Sequence, residues 1–293
     1  MLKLNKGTEL SKEVIKMNGR EETLQYIKEL CLMNDKFMSK CFEDIACTEL
    51  LLHIILEKND LQVHTVLTQH QIKNLQGRSV TLDIYATDST GKKYNIEVQR
   101  TNAGAIPKRA RYNSSLLDAN ITNPGDRYEN LDTTYIIFIT ENDVLGGGLP
   151  IYHIERTIQE TKTAFGDDTY IIYVNAAYES KTALGRLMHD FFCKNPSDMY
   201  YEKLAERVRY FKEDTEGVDK MTDVFEIVAQ KAAQEAAQEA EQKAAQKAAQ
   251  EALQKARNMA RSMLADGMAF EKIAKYTELS MEEITVLAEE LQK

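Results

Sequence analysis

The chain has 293 residues, of which 43% are hydrophobic and 28% are charged, and its formal net charge is -9 at pH 7. A chain of this length can bury one substantial core and still leave residues for an appendage. Its acidity argues against a surface covered with nucleic-acid-binding charge, although a whole-chain sum does not exclude a local basic groove.

The cysteines and the apolar segments indicate the compartment. Cys31, Cys41, Cys47 and Cys193 show no CxxC spacing and no disulfide density, which fits a reducing cytosol. The N-terminal sequence "MLKLNKGTEL" lacks the apolar stretch of a signal peptide. Because no run of about 18 apolar residues occurs, no membrane span is expected. These features predict a cytoplasmic protein.

The first half of the chain changes from a helical to a strand periodicity. Residues 1–33 are mixed in composition, and they predict either a mobile arm or a helix that lies on the core. From Asn34, in "NDKFMSKCFEDIACTELLLHIILEK", apolar residues recur with the period of one long helix. Runs rich in β-branched residues then predict three strands, at 63–72, 78–86 and 93–100.

The segments that follow complete an α/β pattern. A helix is predicted from Pro107, because a proline in the first helical turn needs no hydrogen-bond donor. "TTYIIFIT" (133–140) and "TYIIYV" (169–174) are almost wholly apolar, as expected of strands buried on both faces. "KTALGRLMHDFF" predicts a closing helix. The order αβββαβ, with one more strand, predicts an α/β domain at 34–222 with a mixed sheet flanked by helices.

Beyond residue 223 the composition changes abruptly. Seven tetrads similar to KAAQ and EAAQ run from Lys231 to Asn258, and they contain nearly pure helix formers. A period of four winds alanine around an ideal helix, which disfavours a heptad coiled coil. We expect a long, Ala/Gln-rich, solvated helix at 223–265 that acts as a spacer, followed by a short helical hairpin at 266–293.

The C-terminal hairpin has two interpretations, a helix-turn-helix or a packing element. Ser280 and Glu283 fit a capping box that opens its second helix. That helix carries four glutamates and no basic residue before Lys293, whereas a DNA recognition helix needs hydrogen-bond donors. The charge therefore favours packing or self-association, and the C-terminal helices are a candidate route to a homo-oligomer.

The stretch "LDIYATDSTGKKYNIEVQR" predicts a hairpin with one carboxylate on each strand. If residues 89–91 form a three-residue loop with Gly91 left-handed, counting inward places Asp83 opposite Glu97. Opposed like charges destabilise a sheet, and a divalent cation between them would remove that cost. Mg²⁺ prefers oxygen ligands, and the backbone carbonyl of Val98 could add one. Two solvated hairpin carboxylates are the alternative interpretation.

A basic segment follows the second carboxylate. Arg100, Lys108, Arg109 and Arg111 lie in a stretch without acidic residues, and such side chains can neutralise phosphates. A metal ion lowers the pKa of a bound water and stabilises charge that develops on a phosphoryl group. The two features together predict phosphodiester hydrolysis.

These segments also carry a family resemblance. "NDKFMSKCFEDI", "LDIYATDSTGKKYNIEVQ", "RARYNSSLL" and "TTYIIFIT", in this order, resemble the PD-(D/E)XK nuclease superfamily and, within it, the bacterial recombination-promoting nuclease and transposase (Rpn) family. The likeness spans roughly residues 34–195 and returns in the tail segment "FEKIAKYTELSMEEI". It implies a restriction-endonuclease-like fold with an αβββαβ core.

The resemblance implies roles for three residues of the hairpin. Asp83 and Glu97 would be the metal ligands. Gln99 occupies the position where the superfamily commonly has a lysine, which positions the attacking water and stabilises the phosphate. Glutamine can orient a water by hydrogen bonding but brings no positive charge.

Two further contributions are implied by the family. A glutamate of the first helix often lies near the metal, and the candidates here are Glu43, Asp44 and Glu49. Glu49 directly precedes the apolar run "LLLHIIL" and is placed in the expected ligand set. A tyrosine of the crossover helix, here Tyr112, would either contact a phosphate or pack in the core.

Two functions are consistent with these features. The first is a Mg²⁺-dependent DNA endonuclease, with Mn²⁺ or Ca²⁺ as alternative ions, that acts in DNA recombination, transposition-like activity or defence. The second is a nuclease-like module that binds DNA or a protein with negligible turnover, as Gln99 and the acidic balance would allow. Only the family likeness selects DNA over RNA.

Overall fold

A six-stranded mixed sheet with helices on both faces forms the first part of the molecule in the computed structural model, which describes residues 20–74 and 77–291. The helices of these residues are α1 (Arg20–Glu29), α2 (Asp35–Phe42), α3 (Ile45–Leu56), α4 (Pro107–Ile121), α5 (Ala183–Phe192), α6 (Glu202–Glu213), α7 (Thr215–Ala265), α8 (Phe270–Thr277) and α9 (Met281–Leu291). The strands are β1 (Val63–Ile72), β2 (Val80–Asp88), β3 (Lys93–Gln99), β4 (Thr134–Thr140), β5 (Ile151–Ile154) and β6 (Thr169–Asn175).

The strand order places the apolar strands in the middle of the sheet. The order is β1-β2-β3-β4-β6-β5, with β3, β4 and β6 parallel and the other pairs antiparallel. Every residue of β4 is buried, as its apolar sequence predicts. The α/β class with a mixed sheet and the order αβββαβ are therefore confirmed.

Three features of the described residues differ from the predicted elements. The helix predicted from Asn34 is interrupted, because the Asp44 carboxylate accepts a hydrogen bond from the Cys47 N–H (3.0 Å) and caps a new helix, α3. The short edge strand β5 and the helix α6 were not predicted, although Leu204, Val208 and Phe211 give α6 a helical apolar spacing. Residues 20–29 form α1, which buries Ile27, whereas residues 1–19 of the expected arm lie outside the described residues.

The helix α4 crosses from β3 to β4 and covers one face of the sheet. Ala110 and Leu117 of α4 belong to the same apolar cluster as Ile136 and Phe138 of β4. Since β3, β4 and β6 are parallel, their carboxyl ends lie at one edge of the sheet. The first turn of α4 follows β3 after a short 3₁₀ turn at Asn102–Gly104, and it therefore begins at that edge.

Two units are distinguished within the chain, the first ending at Val228 and the second beginning at Ala229. The helix α7 belongs to both, and its residues 233–255 are all exposed, as predicted for a solvated helix. The second unit has its own core, formed by α8, α9 and the end of α7 around Ala260 and Ile273. None of the described helices has the length and apolar character needed to cross a membrane.

The predicted capping box opens α9. The Glu283 N–H donates to the Ser280 hydroxyl (3.2 Å), and the Glu283 carboxylate accepts the Ser280 N–H (3.0 Å). This reciprocal pair satisfies backbone donors that the first turn of a helix leaves open.

A buried lysine joins three backbone segments in the first unit, and it supports a stability prediction. The Lys212 ammonium, on a residue only 7% exposed, donates to the backbone carbonyls of Lys28 (2.8 Å), Leu30 and Lys194. A Lys212→Met variant should lose about 2–4 kcal/mol of unfolding free energy, because buried carbonyls would lose their donor.

Urea denaturation followed by circular dichroism measures this loss. Lys203→Met, on the exposed face of α6, is the matched control and should stay within about 0.5 kcal/mol of the wild type. Equal midpoints for the two variants would contradict the assigned role of Lys212.

Candidate metal and nucleic-acid site

The β2–β3 hairpin has the register that its turn residues predict. Gly91 has a φ of 91°, the left-handed conformation required at the end of a three-residue loop. The strand pairing extends to Ile84 opposite Ile96. One further step in this register leads to Asp83 on β2 and Glu97 on β3, just beyond the last paired residues. The predicted register is therefore confirmed.

The Asp83 carboxylate lies against the backbone of β3. Its Oδ2 accepts a hydrogen bond from the Val98 N–H at 3.0 Å, and the residue is only 7% exposed. This contact fixes the carboxylate beside the residue that follows Glu97.

The Glu97 carboxylate is fully buried and forms an ion pair. Arg109, in the first turn of α4, places its Nη2 2.8 Å from Oε2 of Glu97. The same guanidinium donates through Nη1 to the Gly104 carbonyl at 2.9 Å. Removing one partner of a buried ion pair leaves an uncompensated charge, so this contact strongly constrains both side chains.

Gln99 belongs to the same network. It is only 1% exposed; its Nε2 lies 3.4 Å from Oε2 of Glu97, and its Oε1 lies 3.5 Å from Nη1 of Arg109. The amide therefore accepts from the guanidinium and donates to the carboxylate. The positive charge beside the carboxylate comes from α4, while the side chain at position 99 is neutral.

The predicted phosphate-binding residues fall into two groups. Lys108 and Arg111 are exposed on α4, and Arg100 is exposed beside its ion-pair partner Glu141 (3.0 Å). Arg109 is instead engaged with Glu97. The exposed group is available to a polyanion at the sheet edge where β3 ends.

Tyr112 connects α4 to the turn between β1 and β2. Its hydroxyl donates to the carbonyl of Arg78 and accepts from Nδ2 of Asn74 (3.0 Å). The hydroxyl is thus used in contacts within the protein, which corresponds to the packing alternative for this residue.

Acidic residues of α2, α3 and the turn between them contact β1 at different positions along that strand. Glu49 accepts the Val63 N–H at 2.9 Å, and Val63 pairs with Asp88 at the turn end of the hairpin. Asp83 lies five residues from Asp88 along β2. The structure therefore does not bring Glu49 together with Asp83 and Glu97.

Two other acidic side chains contact the part of β1 that pairs with β2 next to Asp83. Glu43 accepts from the Thr68 hydroxyl (3.3 Å), and Thr68 pairs with Ile84, the neighbour of Asp83. Asp35 accepts from Nε2 of Gln69 (3.0 Å), one residue further along β1. Asp35 was not predicted as a site residue, because its contact with β1 depends on tertiary packing.

Tyr173 completes a row of side chains across three strands and was not predicted. Glu97 pairs with Phe138, and Phe138 pairs with Tyr173 and stacks on its ring with centroids 5.3 Å apart. Burial raises the pKa of Tyr173 to about 12, and the positive charge of Arg109 partly opposes this increase. The phenol therefore stays protonated at neutral pH.

Two family models match the chain. The model described as PD-(D/E)XK nuclease family transposase matches residues 37–267, which include both carboxylates and α4. The chain belongs to this family. A second model, described as the C-terminal HTH domain of the Rpn/YhgA-like nuclease family, matches residues 253–289. Comparisons with curated proteins and with solved structures gave no match.

The membership confirms the family resemblance and changes the interpretation of the tail. In this PD-(D/E)XK nuclease family chain, the C-terminal match assigns the end of α7 with α8 and α9 to a helix-turn-helix domain, whereas the sequence analysis favoured a packing element. The acidic charge of α9 is the feature that favoured the packing element in the sequence. Glu290 pairs with Arg261 (2.9 Å) and Glu283 lies 3.7 Å from Arg257, so part of this charge is neutralised by α7.

Proposed function

We propose that this chain is a divalent-metal-dependent DNA endonuclease that acts in DNA recombination, transposition-like activity or defence. The observation that carries the proposal is that Asp83 and Glu97 lie on the neighbouring strands β2 and β3, both nearly inaccessible to solvent, with the Asp83 carboxylate bonded to the residue that follows Glu97. Membership of a nuclease family supports the reaction class. A hydrolytic site that holds two carboxylates in this way has the donor chemistry of a hard-metal centre.

The donor set fits a hard cation. Asp83 and Glu97 would hold Mg²⁺, with Mn²⁺ or Ca²⁺ as substitutes, and the backbone carbonyl of Val98 would add an oxygen ligand. A bound divalent ion lowers the pKa of a water and stabilises charge on the phosphoryl group. Glu49 is left out of the proposed ligand set, because it lies at the other end of the hairpin.

Gln99 and Arg109 would share the task that one lysine has elsewhere in the superfamily. The Gln99 amide can orient a water by hydrogen bonding, and the Arg109 guanidinium supplies the positive charge that glutamine lacks. Their separation of 3.5 Å supports a joint role. Arg109 would thus position Glu97 and stabilise the phosphate at the same site.

Lys108 and Arg111, on the exposed surface of α4, are proposed to bind the DNA backbone together with Arg100. A double variant Lys108→Ala/Arg111→Ala should weaken DNA binding equally for unrelated sequences, because phosphate contacts carry no base information. The slope of log K against log salt should fall in magnitude by about 2. Fluorescence anisotropy across a salt series measures this slope, and an unchanged slope would exclude both side chains from the interface.

The proposed reaction is tested by nicking of supercoiled plasmid. The purified full-length chain is incubated with the plasmid in Mg²⁺, Mn²⁺ or Ca²⁺, or in EDTA. Parallel reactions contain single-stranded RNA of the same length in place of the plasmid. Metal-dependent conversion of plasmid to the nicked form, without RNA cleavage, supports the proposal. Cleavage of RNA alone would correct the substrate, and no cleavage with any ion would overturn the proposed activity.

A DNA-binding module with little turnover is the second candidate. The observation that favours it is the match of residues 253–289 to a helix-turn-helix domain, together with the neutral side chain of Gln99. Lys272 and Lys275 are exposed on α8 and could contact phosphates. DNA binding without cleavage, reduced by Lys272→Ala/Lys275→Ala, would favour this function and would place the contact on α8.

A further inference from the structure

A cluster of three different metal-ligating side chains lies at the end of α5, on elements that the nuclease site does not use. His189, Asp190 and Cys193 place their ligand atoms within 4.8 Å of one another, and no other group of three or more His, Cys, Asp or Glu side chains does so in the part of the chain that the structure describes. His189 and Cys193 are four residues apart, so the end of the helix directs both to one side.

The distances between the ligand atoms suit a tetrahedral ion. Nδ1 of His189 lies 3.2 Å from Oδ1 of Asp190 and 3.4 Å from Sγ of Cys193. A Zn²⁺ ion binds nitrogen and oxygen at about 2.0–2.2 Å and sulfur at about 2.3 Å, so two of its ligands are separated by roughly 3.3–3.6 Å. These two separations match those around one ion, and the Asp190 carboxylate lies within 4.8 Å of Sγ of Cys193.

The carboxylate of the cluster is already held in place. Asp190 is fully buried; its Oδ1 accepts the Tyr200 N–H (2.8 Å), and its Oδ2 accepts the Tyr201 N–H (2.9 Å). Each carboxylate oxygen can accept a second interaction, so these bonds leave room for an ion. Hydrogen bonds that orient a ligand in this way are the usual support of a metal site.

The other two side chains of the cluster are accessible to solvent. The His189 side chain is 46% exposed, and Cys193 is half-buried. The ring of Tyr200 lies edge-on to the imidazole with centroids 4.8 Å apart, and this contact restricts the orientation of the imidazole. An ion could enter from the exposed side, where a water would complete the coordination.

We propose that His189, Asp190 and Cys193 form a binding site for a transition metal of the Zn²⁺ type, separate from the nuclease centre. A thiolate and an imidazole select such ions over Mg²⁺ or Ca²⁺, which prefer oxygen ligands only. The ion would join the end of α5 to Tyr200 and Tyr201, the two residues that precede α6. It would therefore stabilise the connection between these helices.

Cobalt spectroscopy of the full-length protein tests this site. Metal-depleted protein is titrated with Co²⁺, which gives a near-ultraviolet charge-transfer band only when a thiolate is bound. We expect one equivalent of Co²⁺ to produce the band and Zn²⁺ to remove it. Cys193→Ser should abolish the band, and His189→Ala should weaken Co²⁺ binding by at least about 10-fold.

Two controls separate the proposal from its alternatives. Asp83→Asn should keep the band, because the nuclease carboxylates offer only oxygen. Cys31→Ser, at another half-buried thiol, should also keep it. The proposal is overturned if folded wild-type protein gives no band, or if the band survives Cys193→Ser and disappears with Cys31→Ser. Asp190 is left unchanged in these tests, because it also holds the backbone before α6.

Discussion

An Asp83→Asn variant should keep the fold of the protein and lose metal-dependent DNA cleavage by at least about 10³-fold. The asparagine retains an oxygen that can accept the Val98 N–H, so the hairpin keeps the hydrogen bond now made at 3.0 Å. It removes the negative charge that would hold the cation. A catalytic metal contributes several kcal/mol to the transition state, and each 1.4 kcal/mol corresponds to a tenfold change in rate.

Glu97→Gln should give a loss of the same size. The glutamine leaves the volume of the buried site unchanged, but it offers a neutral oxygen to the cation and to Arg109. The initial rate of plasmid nicking in Mg²⁺ measures both variants, and thermal unfolding shows that they are folded. Glu155→Gln is the matched control, since Glu155 lies just after the edge strand β5 and is exposed.

The comparison between these variants decides between the two candidate functions. If Asp83→Asn and Glu97→Gln are inactive while Glu155→Gln cleaves at the wild-type rate, Asp83 and Glu97 carry the reaction. If all of the variants cleave at the wild-type rate, the site lies elsewhere in the chain. Binding of DNA by every variant with no cleavage by the wild type would favour the binding module.

Arg109→Ala should destabilise the metal-free protein by about 3–5 kcal/mol, because it leaves the Glu97 carboxylate buried without its cationic partner. The two groups lie 2.8 Å apart, and Glu97 is fully buried. A divalent cation at the site would offset part of this charge. Saturating Mg²⁺ should therefore raise the unfolding midpoint of Arg109→Ala by more than it raises that of the wild type.

Urea unfolding with and without Mg²⁺ measures this coupling, and Arg111→Ala is the control on the same helix. Arg111 is exposed, so its removal should change the unfolding free energy by less than about 0.5 kcal/mol, with or without the ion. Cleavage by Arg109→Ala should fall by about 10²-fold, since positive charge at the phosphate would be lost. An equal response to Mg²⁺ in both variants would show that the cation does not share Glu97 with Arg109.

The features of this fold that depend on local chemistry could be predicted from the sequence. The left-handed Gly91 fixes the hairpin loop, and the loop fixes the register, which is observed from Thr87 opposite Lys93 to Ile84 opposite Ile96. The apolar run "TTYIIFIT" predicts a strand buried on both faces, and all seven residues of β4 are buried. The Ala/Gln tetrads predict a long exposed helix for the same reason, because propensity decides where packing does not.

The partners of the charged side chains were decided only by the tertiary structure. Arg109 appears in the sequence as one of several basic residues, and the path of α4 over the sheet brings it to Glu97. Glu49 and Glu43 cannot be distinguished by composition, yet packing directs one to Val63 and the other to Thr68. Tyr173 joins the row through strand pairing across a parallel sheet. Sequence spacing determines which residues share a strand or a helix face, whereas the packing of one element against another determines which charges meet.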